Sequence, residues 1–180
     1  MLTAHLVVLA VLTNVAAPAA ILAWRAAGRM PVRRPLLGPA GAALLLVAVV
    51  WGWHVPAALD AARSSPMLAA LLYASVAACA LLYWHAVLVE AGDRPWRALA
   101  AVLSGMKAFG LLGVLLVLAP RSLYGPPDAA TGAAGHLDQN LGGLLFMAIS
   151  ALGFLIAAVA IVARVMARLQ ARPGWTGGLP

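Results

Sequence analysis

Five long apolar runs, separated by short polar breaks, set the pattern of this chain. They cover about Ala4–Trp24, Leu37–His54, Met67–Val89, Ala98–Ala119 and Leu141–Val162. A helix needs about 20 mostly apolar residues to cross the bilayer core, and the runs meet or approach that length. The pattern predicts an all-α polytopic membrane helix bundle, one transmembrane domain over residues 1–180 with five spans. The breaks differ in kind. Val55–Pro66 is short and carries Pro56, Asp60 and Pro66, whereas Pro120–Asn140 is the longest and is rich in Gly, Pro and Ala. That longer stretch is predicted as a loop without secondary structure, of the size that often covers a site. Residues 163–180 are predicted as a tail outside the bilayer. No internal repeat of either polarity is visible, which argues against a transporter built on inverted halves.

Composition and charge sharpen the picture. Hydrophobic residues make up 64% of the chain and charged residues 9%, which leaves no material for a domain outside the membrane. The net charge of +7 lies in short loops, without the aromatic-interleaved basic face that nucleic acid requires. Nucleic acid is therefore not an expected partner. Arg25, Arg29, Arg33 and Arg34 follow the first run, Arg94 and Arg97 the third, and Arg164, Arg168 and Arg172 the fifth. Those nine share one side, and only Arg63 and Arg121 lie on the other. Basic loops stay in the cytoplasm, so the N-terminus is predicted outside and the C-terminus cytoplasmic. No basic residue precedes the first run, which reads as a span and not as a cleaved leader. The single cysteine, Cys79, lies within a run and reads as a small core residue.

A few polar residues require an account. His5 opens the first span, His54 closes the second beside Trp51 and Trp53, and His136 lies in the long break. With Met67 at the start of the third span, these fall at one predicted depth. Imidazole and thioether are ligands that suit copper, so His5, His54, Met67 and His136 form a candidate metal set. The competing reading has each histidine hydrogen-bonded separately near the headgroups. Asp138, directly before the fifth span, is predicted as its N-cap, with Gly142 and Gly143 allowing close approach of another segment. Lys107 is the one formal charge well inside a span, with Ser104, Tyr83 and His85 as candidate neighbours and no acidic residue at its depth. A charge so placed is a functional hypothesis by default; a structural or partner-contacting role is favoured over a proton relay. There is no phosphate loop, nucleophile–base–acid set or carboxylate pair, and an enzyme is not expected.

Taken together, these stretches resemble the bacterial cytochrome c oxidase assembly-factor family, the CtaG type associated with caa(3) oxidases. The family's early His-Met-x-x-His motif with a following small-small-Pro step is matched by His5-Leu6-Val7-Val8-Leu9 and Ala16-Ala17-Pro18. Its Trp-His-x-Pro motif is matched by Trp53-His54-Val55-Pro56, and its Asp-Gln-x-x-Gly-Gly segment by Asp138-Gln139-Asn140-Leu141-Gly142-Gly143, followed by Met147. The intervening helix keeps the aromatic pair Tyr83-Trp84 but reads Ala69 and Tyr73 where the family has a His-x-x-x-His pair. Leu9 replaces a further histidine.

The resemblance implies a membrane factor that helps to place copper in an oxidase active site. The missing histidines point instead to a retained scaffold. The leading expectation is a non-catalytic accessory subunit or assembly scaffold of a bacterial energy-converting complex in the inner or intracytoplasmic membrane. The host is a respiratory oxidase or, if the fold has been recruited elsewhere, a photosynthetic reaction centre. Other integral membrane subunits and lipids are the expected partners, and no resident cofactor is expected. A copper-handling assembly factor is the alternative. The surviving imidazoles are expected to be too few and too dispersed to hold a metal ion.

Overall fold

The computed structural model describes residues 2–29, 35–124 and 129–171. Its elements are α1 (Leu2–Ala26), α2 (Pro39–Trp53), α3 (Pro56–Ser64), α4 (Pro66–Asp93), α5 (Pro95–Leu118) and α6 (Ala129–Gln170). No strand occurs among the described residues. Arg33, Arg34 and Arg172, used above for orientation, lie outside them.

Local chemistry sets the helix ends. Pro39, Pro56, Pro66 and Pro95 each open a helix, where the missing N–H would have had no intrahelical acceptor. Gly28 closes α1 with a φ of 65°. Its amide bonds to Arg25 O and that of Arg29 to Trp24 O, the paired bonds of a left-handed helix stop. Within α1, Pro18 removes one amide from the ladder, and the preceding Leu12–Ala16 widens into a π-helical turn. The Ala17 amide then bonds to Leu12 O, and the Thr13 carbonyl is taken by the Trp84 indole N–H at 2.6 Å.

Four helices, α1, α4, α5 and α6, are long and apolar enough to cross a membrane. The protein is a multi-pass membrane protein. The predicted second span is shorter than expected: α2 has 15 residues, about 22 Å at 1.5 Å per residue. After the single residue that follows His54 the chain turns by 71° into α3, and this bent pair makes a fifth span only if α2 and α3 are taken together. α3 buries Leu59 and Ala62 and turns Asp60 and Arg63 outward.

The predicted long loop is largely helix, which is a correction. α6 starts at Ala129, runs for 42 residues and ends at Gln170, about 63 Å and twice the bilayer core. Residues 129–140 form its first turns, and part of the predicted tail forms its last. Glycine and alanine there suit a loop by composition, but packing against α1 and α5 holds the helix.

α6 lies along α5 and α1, α2 packs on α4 and α5, and α4 also touches α5 and α1. Gly142 and Gly143 face different neighbours: a Cβ on Gly142 would come 3.0 Å from Thr3 Cα, and one on Gly143 3.0 Å from Gly113 O. The centre holds Tyr83, Trp84, Phe109, Phe146 and Phe154, with Phe109 stacked on Phe146 at 5.5 Å and edge-on to Phe154 at 5.5 Å. At the Asp93 end, Arg25 donates to Leu88 O and Arg168 to Gly92 O, so cations meet the negative end of α4.

Candidate functional site

The polar residues singled out from the sequence gather mainly at the Leu2 end of the bundle. His5 lies one turn into α1, and His54 is the residue that ends α2. Their ring centroids are 5.7 Å apart, so the expectation that the imidazoles are dispersed does not hold for this pair. α1 and α2 both pack on α4, and that shared neighbour brings the two rings together. His5 Nδ1 lies 2.8 Å from the Tyr73 hydroxyl on α4. His54 Nδ1 lies 2.6 Å from Val50 O, four residues back. A carbonyl oxygen only accepts, so Nδ1 carries the hydrogen, and Nε2 of the neutral ring presents a lone pair. Both Nε2 atoms, of His5 and His54, are buried without a hydrogen-bond partner. A cavity of about 200 Å³ adjoins His5, lined by Leu2, Leu59, Arg63, Ala69 and Tyr73.

The other candidate ligands are placed elsewhere. Met67 is 82% exposed on the outside of α4. His136 Nε2 lies 2.9 Å from Ala119 O, just past the end of α5. No group of three His, Cys, Asp or Glu that could hold a metal occurs among the described residues. Two neighbouring imidazoles thus keep buried Nε2 atoms without a partner.

Asp138 is not the N-cap of its own helix. It lies inside α6, and its carboxylate accepts the amides of Leu2 and Thr3, while the Thr3 hydroxyl donates to Asp138 O at 2.7 Å. The capping chemistry is the one predicted, but the capped helix is α1, because α6 continues past this level and α1 begins against it. Gln139 is fully buried. Its Oε1 accepts Leu123 N at 2.7 Å and its Nε2 donates to Leu116 O at 2.9 Å, tying the end of α5 to the turn after it. Trp53 donates to Ser75 Oγ at 3.0 Å, and Pro56 opens α3.

Residues without a sequence signal complete the frame. Tyr124 is buried and donates to His54 O at 2.8 Å. Burial, then the Asp60 carboxylate, push its phenol up to about 12, so it stays a donor through the physiological range. Deeper in, Asn14 Nδ2 shares its two hydrogens among Ala10 O, Thr13 Oγ1 and Ser150 Oγ, all within 3.2 Å. Only the Asn14 position inside an apolar run hinted at this knot.

Lys107 stands apart from all of these. It is exposed at the middle of α5, among the exposed side chains of Leu103, Leu111 and Val114. Tyr83 is turned into the core, with its hydroxyl on Ala101 O, and is not a neighbour of the ammonium. A lysine at mid-bilayer costs about 2.5–3.5 kcal/mol on insertion scales.

No curated protein and no solved structure matches the chain. The family model for the cytochrome c oxidase caa3 assembly factor (Caa3_CtaG) matches residues 1–168, nearly the whole length and all of the helices that carry the histidines and the Asp-Gln-x-x-Gly-Gly segment. The chain belongs to the cytochrome c oxidase caa3 assembly factor family.

Proposed function

We propose that the protein is a non-catalytic assembly scaffold for a caa3-type cytochrome c oxidase, acting through the helix faces it offers to oxidase subunits. It works in the bacterial inner membrane with its N-terminus outside and its C-terminus in the cytoplasm. The family match favours an oxidase over a reaction centre as host. One observation carries the scaffold reading: among the described residues no third ligand of the metal-holding types joins the His5–His54 pair. Tyr73 stands beside it with its hydroxyl on His5 Nδ1, Met67 faces away, and His136 is bonded to Ala119 O. The experiment is affinity purification of the tagged protein from cells co-expressing the oxidase, in a gentle detergent. Membrane subunits of the oxidase are expected to co-purify, and a His5→Ala, His54→Ala variant is expected to retain them. Recovery of the chain alone in every preparation rejects the scaffold.

A second reading rests on two neighbouring imidazoles whose Nε2 atoms are buried without a partner. They are the donor set of a transient copper(I) cargo site, from which an ion leaves more readily than from a closed cage. Titration of the purified protein against a chromogenic copper(I) chelator tests it. One equivalent bound, and lost in the double histidine variant, supports copper transfer. No binding above that of the variant removes it.

A further inference from the structure

Lys107 lies thirteen positions into the 24-residue α5, so about 16–18 Å of helix separates it from either end at 1.5 Å per residue. That is more than a lysine stem spans, and the ammonium cannot reach a headgroup by snorkelling. Its surroundings are apolar: Leu103 is 44% and Leu111 59% exposed on the same face. The helix around it is also shaped for contact. A groove of about 560 Å³ between α2 and α5 runs beside this face, its walls including Ala40, Ala43, Ala100, Ser104, Gly105 and Ala108. Small side chains of this kind let another helix approach closely. One turn beyond Lys107, a Cβ on Gly110 would meet nothing within 4 Å.

A buried-membrane cation is best met by a negative partner, and this chain has no carboxylate within its predicted spans to offer. Its five acidic residues, Asp60, Glu90, Asp93, Asp128 and Asp138, all fall in breaks between the predicted spans. A second copy therefore cannot neutralise Lys107 either. We infer that the α2–α5 groove and Lys107 form the docking site for a transmembrane helix of a different membrane protein, one that carries an aspartate or glutamate at mid-bilayer depth. This deepens the scaffold reading, on which it rests for the partner's identity as an oxidase subunit.

The test places a photo-crosslinking residue at Leu111, on the Lys107 face, or at Leu152, which is exposed on α6, in membranes containing the co-expressed oxidase. Crosslinking from position 111 and not from 152 is expected, with a mapped partner segment that contains a carboxylate near mid-span. Lys107→Met is expected to lower the yield at least tenfold, and Lys107→Arg to preserve it. Size-exclusion chromatography of each variant verifies folding, which an apolar replacement on an exposed position leaves intact. Undiminished crosslinking in Lys107→Met, a partner segment without an acidic residue, or a crosslink to a second copy each overturns the docking site. A Lys107-dependent crosslink to an acidic helix of a membrane protein other than the oxidase keeps the docking site and rejects only the oxidase as its host.

Discussion

Asp138 and Gln139 are neighbours in sequence and serve different helices, and their substitutions separate two kinds of cost. Asp138 gives the amides of Leu2 and Thr3 an acceptor at the start of α1. Asp138→Ala removes a cap, worth about 1 kcal/mol within a range of 0.5–2, and thermal unfolding in detergent is expected to show a modest loss. Gln139 is 0% exposed and satisfied at both ends. Gln139→Leu keeps the volume but leaves Leu123 N–H and Leu116 O without their partner, at about 1–3 kcal/mol each when buried. It is expected to cost more than Asp138→Ala in the same assay; equal or smaller losses mean that the α5 end does not depend on this clamp. Both residues were legible as special from the Asp-Gln-x-x-Gly-Gly segment. Which groups they serve was not, because their partners lie up to 136 positions away.

Among the elements, α6 departs furthest from expectation, and its glycines show why it can exist. Gly113 on α5 and Gly143 on α6 abut so closely that a Cβ on Gly113 would sit 2.8 Å from Met147 Cβ and 3.0 Å from Gly143 O. Gly113→Val is expected to wedge α5 from α6 and destabilise by about 1–3 kcal/mol. Gly110→Ala, on the open side of the same helix, is expected to be neutral or to stabilise by up to about 1 kcal/mol, since alanine is the better helix former. Equal melting temperatures for the two variants would show that α5 and α6 do not meet at Gly113. The runs behind α1, α2, α4 and α5 were plain in the sequence, whereas α3 falls in the Val55–Pro66 stretch that was predicted as a break between spans. The start of α6 was hidden because Gly and Ala suit both a loop and a tightly packed helix, and only the neighbours decide between them.

For the whole molecule, topology is the property on which the proposed function depends. In a Cys79→Ser background, Ser64→Cys and Gln170→Cys both place a thiol on an exposed position. A membrane-impermeant maleimide is expected to label position 64 in intact cells and position 170 only after permeabilisation. The reverse pattern inverts the orientation drawn from the arginine count. The sequence by itself determined the helical class and the apolar runs that form the four long helices, since these follow from residue-by-residue hydropathy against a bilayer of known thickness. Only the tertiary structure decided that His5 meets His54, that Asp138 caps α1, and that Lys107 faces outward. The physical reason is that lipid is as apolar as a protein core. These helices are apolar on all sides, so their periodicity says little about which face turns inward.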